Sequence, residues 1–293
     1  MTIKFMEGVL RGERFVGFVE SGVTLPNEIY RISLAKLCEA TGGTTDGAVA
    51  KEYLLKSVSS VKFSDQDMID FSPLPPLFPD AAGDAVASGF MQTHNVKIES
   101  ARDDHGEIVL PNWFVKGLGS SVKLSGQPLR APKQALALCE EAEVVLVYRS
   151  NADGRPEYCG YTFGNDLTDI GRFKRNPGHL AYAKLCDAAV SSWFHIAPPP
   201  QSVQGEVSIE RDGTVAWNGN FKTGVNALGY RLADMVDHLF SYSTLSHPGR
   251  IHYVFIGADR SSFHAGFSIK EGDRIVLNFA SHDVVISNQI QFA

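Results

Sequence analysis

Cysteine is scarce in this 293-residue chain: Cys38, Cys139, Cys159 and Cys186 are the four present. None forms a Cys-x-x-Cys pair, which excludes a zinc ribbon, and a disulfide framework is not expected at this length. They read as reduced thiols of a cytoplasmic protein. No apolar stretch approaches the roughly 18 residues needed to span a bilayer. The opening Met-Thr-Ile-Lys-Phe-Met-Glu-Gly brings an acid and a turn residue too early for a secretion signal. Positive charge is not in excess: the net charge is −6 and the pI about 5.8. No basic run is interleaved with aromatics, so neither nucleic acid nor an anionic membrane is an expected partner. A Gly-x-Gly-x-x-Gly turn, a phosphate loop and a Gly-x-Ser-x-Gly elbow are also missing, which weighs against nucleotide-binding and serine-hydrolase folds. There is no internal repeat and no low-complexity segment.

Hydrophobic residues make up 44% and charged residues 20%, ordinary values for a globular chain that can bury a sizeable core. Residues 1–75 hold short strand-like and helix-like pieces, including Val16–Val19 and a helical spacing over Ile32–Ala40. Phe71–Pro79 then places four prolines in nine residues, which fits neither helix interior nor central strand. It is read as the linker between a small N-terminal α+β domain, 1–75, and a main domain, 76–293, with a Pro-rich surface loop inside one domain as the alternative. Downstream the pattern is strand-rich. Val144–Tyr148 is a continuous β-branched and aromatic run, as in a buried strand, and Cys159–Phe163 continues in the same style. Residues 207–217 read as a hairpin around Asp212-Gly213, with further strands at 251–256, 275–279 and 284–286. Leu232, Met235, Val236 and Leu239 fall on one face of a helix between Gly229 and Tyr242.

The chemistry-bearing stretch is Glu140–Tyr148. Glu141 and Glu143 are two residues apart at the mouth of a strand, so period two puts both on one face. Like charges side by side are unfavourable unless a cation lies between them. Taken alone, the pair also fits a solvated strand end. Asp166 follows a second apolar strand, and a strand-turn-strand unit would bring it opposite the pair. Three carboxylates suit a hard cation that keeps waters for a substrate to displace, Mg2+ before Zn2+.

These residues sit in a larger ordered pattern. Glu-x-Glu at a strand start is followed by Gly160-Tyr-x-x-x-Asn165-Asp166 with Thr168 two positions on. Around it lie Pro111–Lys116 (Pro-Asn-Trp-Phe-Val-Lys), Gly126–Pro132 (Gly-Gln-Pro-Leu-Arg-Ala-Pro) and Ala183–Asp187 (Ala-Lys-Leu-Cys-Asp). The Pro-rich bend at Ser191–Pro200 and the turns at Thr244–Gly249 and Glu271–Asp273 complete the order. Over about residues 88 to 290 the chain resembles the fumarylacetoacetate hydrolase superfamily, and within it a bacterial branch associated with sugar-acid catabolism.

That resemblance implies a β-rich α+β fold, a mixed β-sandwich roll with a small N-terminal domain, and a homodimer. It implies Mg2+, with Mn2+ or Ca2+ as substitutes, held by Glu141, Glu143 and Asp166. Lys184 would neutralise charge beside the metal, His94 would move a proton or activate water, and Glu99 would orient His94. Arg102, Lys116 and Arg172 would bind substrate. The chain departs from many relatives in the His–Glu spacing, in Ile170 four positions after Asp166 where an arginine is common, and in Gly257-Ala258 where Gly-Thr lines the substrate. The implied reaction is cleavage of a C–C bond, by hydrolysis or decarboxylation, in a small 2-oxo or diketo acid. Dehydration of a 2-keto-3-deoxy sugar acid is the alternative, and a recruited biosynthetic or non-catalytic metal-binding member is a third reading. His238, His252 and His264 read as packing or surface residues.

Overall fold

The computed structural model describes residues 3–20, 23, 25–96 and 110–293. The continuous apolar run predicted to be a buried strand is one: Ala142–Ser150 lies in the middle of a seven-stranded sheet. Its neighbours are Ile251–Phe255 on one side and Pro156–Asp166 on the other. A central strand needs both faces covered, so its residues are apolar without alternation. Val144 and Leu146 point into one core, shared with Ile209, Leu277 and Ile286 of a five-stranded sheet. Val145 and Val147 point into a second core, shared with Phe5, Leu34, Leu37 and Leu54 of the N-terminal layer. One strand thus feeds two cores, and the molecule is three layers deep around it.

The five-stranded sheet contains the expected hairpin. Val203–Arg211 pairs with Thr214–Thr223, and the two-residue turn has φ of 52° at Asp212 and 77° at Gly213. Two positive φ angles give the twist that joins adjacent antiparallel strands, which is why an Asp-Gly pair stands there. The amphipathic helix is Leu232–Phe240, burying Met235 and Leu239.

The N-terminal layer is a sheet of Ile3–Leu10, Glu13–Glu20, Glu28–Tyr30 and Ser60–Lys62, with helices Leu34–Ala40 and Gly47–Ser57. Trp193–Phe194 of the main body adds a strand to its edge. Arg14 fastens the layer to the Pro-rich segment by donating to Glu7, the Phe78 carbonyl and Asp80. The architecture is the β-rich α+β roll expected from the sequence. All four cysteines are buried and unbridged. No helix among the described residues is long and apolar enough to cross a membrane.

Candidate metal centre

Strand pairing builds the site. Ala142 lies opposite Asn165 and Glu143 opposite Gly164, and the Asp166 amide donates to the Glu141 carbonyl at 3.0 Å. The Asn165 side chain accepts from the Glu141 amide at 3.1 Å, closing the corner where the two strands meet. Glu141, Glu143 and Asp166 each present an oxygen, and these lie within 4.8 Å of one another. Exposure is 8%, 1% and 0% respectively, so the solvated-strand-end alternative does not describe this pair.

Three buried carboxylates are costly without compensation. Two lysines supply it. The Lys184 ammonium donates to Glu141 at 2.5 Å, to Asp166 at 2.6 Å and to the Thr168 hydroxyl at 2.9 Å. It also lies 4.4 Å from the centre of the Phe114 ring. Burial pulls the Lys184 ammonium down, but the charges of Asp166, Glu141 and Glu143 overcome this and hold it above its ordinary value. Lys116 meets the other Asp166 oxygen at 2.6 Å and donates to the carbonyls of Leu167 and Lys184. Burial raises Asp166, yet the two ammonium groups win and keep its carboxyl below the usual range. Glu143 goes the other way: burial, then the charges of Asp166 and Glu141, push it well up.

The floor of the site comes from a late loop. The Gly257 amide donates to Glu143 at 2.6 Å. Gly257 has φ of 101°, and a Cβ there would lie 2.0 Å from the Thr93 hydroxyl, so only glycine fits. Thr93 donates to the Ile256 carbonyl at 2.6 Å, which places a hydroxyl beside Gly257 although the next residue is Ala258. His94 follows, 1% exposed, with Nδ1 3.2 Å from the Thr93 hydroxyl and Nε2 3.2 Å from the Thr223 hydroxyl. Glu99 and Arg102 lie outside the described residues.

Sequence reading missed Glu140 and His264. Glu140 is 1% exposed and accepts from both the amide and the hydroxyl of Ser262 at 2.6 Å. Burial raises its carboxyl to about 7 against those two hydrogen bonds. The clamp fixes the short turn Ser262–Ala265, whose His264 meets the Ser261 hydroxyl at 3.0 Å. A third acid within four residues, Glu140 beside Glu141 and Glu143, was the only signal available. A cavity of 180 Å3 lies against Glu141, with His264, Gln92 and Met91 on one side. Helix Ile170–Arg175 provides the rest through Ile170, Phe173 and Lys174, the i, i+3, i+4 face. Arg172 turns away from that face to Asp169 at 3.2 Å and to the Gln134 carbonyl. Gln92 holds φ of 60°, an unusual backbone conformation for a non-glycine residue at a cavity wall.

The donor set fits a divalent cation. Fully ionised, Glu141, Glu143 and Asp166 would carry three negative charges against the two positive charges of Lys116 and Lys184, leaving one unanswered. Glu143 bears the strain as a raised pKa, which a cation between the carboxylates would relieve. All three donors are oxygens, the preference of a hard ion such as Mg2+.

No protein-family model matches the chain, and no curated protein matches it in sequence. Solved structures do match in fold. The apo form of 2-keto-3-deoxy-D-arabinonate dehydratase superposes with a TM-score of 0.70 at 15% identity, over 99% of both chains. The same enzyme complexed with magnesium and 2,5-dioxopentanoate gives 0.66 at 15% identity, again over 99% of both chains. A 5-carboxymethyl-2-hydroxymuconate delta-isomerase from Mycobacterium smegmatis gives 0.61 at 14% identity, over 99% of this chain and 100% of that one. At such identities the likeness is one of fold, and the fold is of the fumarylacetoacetate hydrolase type.

Proposed function

We propose that the chain is a divalent-metal-dependent enzyme of the fumarylacetoacetate hydrolase superfamily, acting on a small 2-oxo acid. The buried cluster of Glu141, Glu143 and Asp166, held by Lys116 and Lys184, carries this reading. With a divalent ion the cluster becomes singly positive, which suits a monoanionic 2-oxo carboxylate. Glu141, Glu143 and Asp166 would hold a divalent ion, which would supply Lewis acidity to stabilise negative charge developing on a bound 2-oxo acid.

The chain's own residues divide the remaining work. Lys184 is held firmly as an ammonium, so it serves as a fixed positive charge and not as a base. Thr168 donates to Glu141 at 3.1 Å and keeps that carboxylate turned to the centre. Met91, Ile170 and Phe173 give the cavity apolar walls that limit water. His264 is the imidazole of the cavity wall and the candidate for proton transfer to or from the substrate. His94 is the second candidate, from the loop behind Gly257. Lys174, exposed on the cavity face of its helix, is placed to receive the far end of the substrate, a role expected from sequence for Arg172. The volume of 180 Å3 is below the range of about 300 to 1,000 Å3 for drug-sized ligands, so the substrate is small.

The favoured reaction is loss of water from a 2-keto-3-deoxy sugar acid. Its support is the fold shared with a dehydratase that was captured with magnesium and 2,5-dioxopentanoate. Scission of a C–C bond in a 2-oxo or diketo acid draws on the same polarisation and is the second reading. Both are tested by incubating the Mg2+-loaded protein with 2-keto-3-deoxy sugar acids, acylpyruvates and oxaloacetate, followed by mass spectrometry. Dehydrated product, absent with Glu143→Gln, is expected. Two shorter products from the acylpyruvates or oxaloacetate would favour the second reading. Metal binding without turnover of any of these compounds would contradict both.

A further inference from the structure

Where the N-terminal layer meets the main body, a second cavity of 570 Å3 opens, against 180 Å3 at the metal centre, and the two share no lining residue. Its walls come from distant parts of the chain: the turn at Gly12, the start of helix Leu34–Ala40, the Pro-rich segment at Leu77–Asp80, and the main body at Arg149 and Ile251. Four cations line it. Arg14 stands on strand Glu13–Glu20, Arg31 follows strand Glu28–Tyr30, Lys36 is on the helix, and Arg149 is on the central strand Ala142–Ser150. Two acids, Glu13 and Asp80, line it with them. In a chain of net charge −6, an excess of positive charge over one concave wall marks a place for an anion.

Arg14 is the fixed member of the four. It donates to Glu7 at 3.0 Å and to the Phe78 carbonyl at 2.7 Å, and Glu7 is 0% exposed. Buried backing of this kind holds a guanidinium fork in one place, and such a fork binds a phosphate or carboxylate by two hydrogen bonds. The other acids hold their cations loosely. Asp80 on Arg14 has a side chain 98% exposed, Glu13 on Arg31 one 50% exposed, and Glu39 on Arg149 one 55% exposed. Surface pairs like these contribute little, so an incoming dianion can displace their acids. Lys36 is exposed. Leu77, in the wall, is buried and holds φ of 56°, a left-handed conformation that is rare for a bulky residue and recurs where ligands are clamped. Ile32, Phe78 and Pro79 add apolar surface.

We propose that this cavity binds a small organic dianion, a phosphomonoester or a dicarboxylate with a short apolar body, through Arg14, Arg31, Lys36 and Arg149. The two ligand types share one chemistry, paired negative oxygens that fit a guanidinium fork. The dianion displaces Asp80 from Arg14 and Glu13 from Arg31, while Glu7 stays behind Arg14. Its apolar body lies against Ile32, Phe78 and Pro79. The volume of 570 Å3 falls within the range of about 300 to 1,000 Å3 typical of small-molecule sites. Glu141, Glu143 and Asp166 do not line the cavity, so this inference does not depend on the reaction assigned to the metal centre. A ligand that touches the N-terminal layer, the Pro-rich segment and the central strand at once stabilises their junction.

The test is isothermal titration of the full chain, with and without Mg2+, using phenyl phosphate, phthalate and inorganic phosphate. One aromatic dianion per chain is expected, with a Kd below about 1 mM and no dependence on Mg2+. Tighter binding of phenyl phosphate identifies the ligand class as a phosphomonoester, and tighter binding of phthalate as a dicarboxylate. Inorganic phosphate should bind at least about tenfold more weakly, because it leaves the apolar side uncovered. Arg14→Gln would strip buried Glu7 of its cation and threaten folding, so the exposed cations are the ones to substitute. Arg31→Gln and Lys36→Gln should each weaken binding about tenfold. Lys174→Gln, at the metal centre, should leave it unchanged. At tenfold excess over Kd the melting temperature should rise by about 3 °C. No saturable binding of either aromatic dianion, binding that requires Mg2+, or binding lost in Lys174→Gln and intact in both Arg31→Gln and Lys36→Gln would overturn the proposal.

Discussion

Strand Pro156–Asp166 carries two buried polar settings that the protein treats in opposite ways. At its end, Asp166 is 0% exposed and ionised, with Lys116 on one oxygen and Lys184 on the other. Five residues earlier, Tyr161 exchanges backbone hydrogen bonds with His195 and stacks on its ring at 4.7 Å and 9°. That imidazole is also 0% exposed, yet neither ring nitrogen meets a partner among the described residues. Burial, with the charges of His282 and Lys4, lowers it to about 3, so it stays neutral. A buried group keeps its charge where opposite charges are built around it, and loses it where they are not. The first arrangement suits a metal and an anionic substrate; the second is packing.

Breaking the first setting should have the larger effect. Lys184→Met leaves Asp166 and Glu141 buried beside each other with one ammonium gone. The expected loss is about 3–5 kcal/mol of metal-free stability, measured by urea denaturation. Mg2+ should restore part of it, and a loss below about 1 kcal/mol, typical of an ordinary surface ion pair, would break the contrast. Breaking the second setting changes the pH profile. The folded protein protonates His195 only near pH 3, while the unfolded chain does so near 6.5. Between those values the unfolded chain binds the extra proton, so this stability is complete above 6.5 and is lost as pH falls towards 3. The contribution to the slope reaches about 1.4 kcal/mol per pH unit. His195→Phe should flatten the acid limb by that amount, and an unchanged slope would show that the imidazole is not held neutral.

The smallest effect is expected where the cation is exposed. For a turned-over 2-oxo acid with a charged far end, Lys174→Gln should raise KM about tenfold, near 1.4 kcal/mol, with kcat within about twofold. Arg172→Gln should leave KM unchanged, since its guanidinium is engaged by Asp169 and Gln134. The reverse pattern would return the substrate contact to Arg172.

What could be read beforehand followed from local rules. Period two put Glu141 and Glu143 on one face, and antiparallel pairing across a short turn brought Asp166 to them. The Asp212-Gly213 hairpin and the helix Leu232–Phe240 were legible for the same reason: turn chemistry and period are local. From sequence Lys116 is expected to bind substrate; its pairing with Asp166 has no local signature, because that contact spans 50 positions and depends on how the sheet closes. His264 reads from sequence as a packing or surface residue. Its place at the cavity follows from Glu140 clamping Ser262, a pairing of residues 122 apart with no local signature. The hydroxyl beside Gly257 comes from Thr93, a donor on a different segment from the Gly-Ala step that seemed to lack it.

Glu141, Glu143 and Asp166 are proposed to bind one divalent ion. Titrating the protein with Mn2+ and following free ion by electron paramagnetic resonance tests it directly. One ion per chain is predicted, displaced by excess Mg2+ and lost in Glu143→Gln. A protein that binds no Mn2+, or a Glu143→Gln variant that binds it as tightly as the parent, would contradict this assignment.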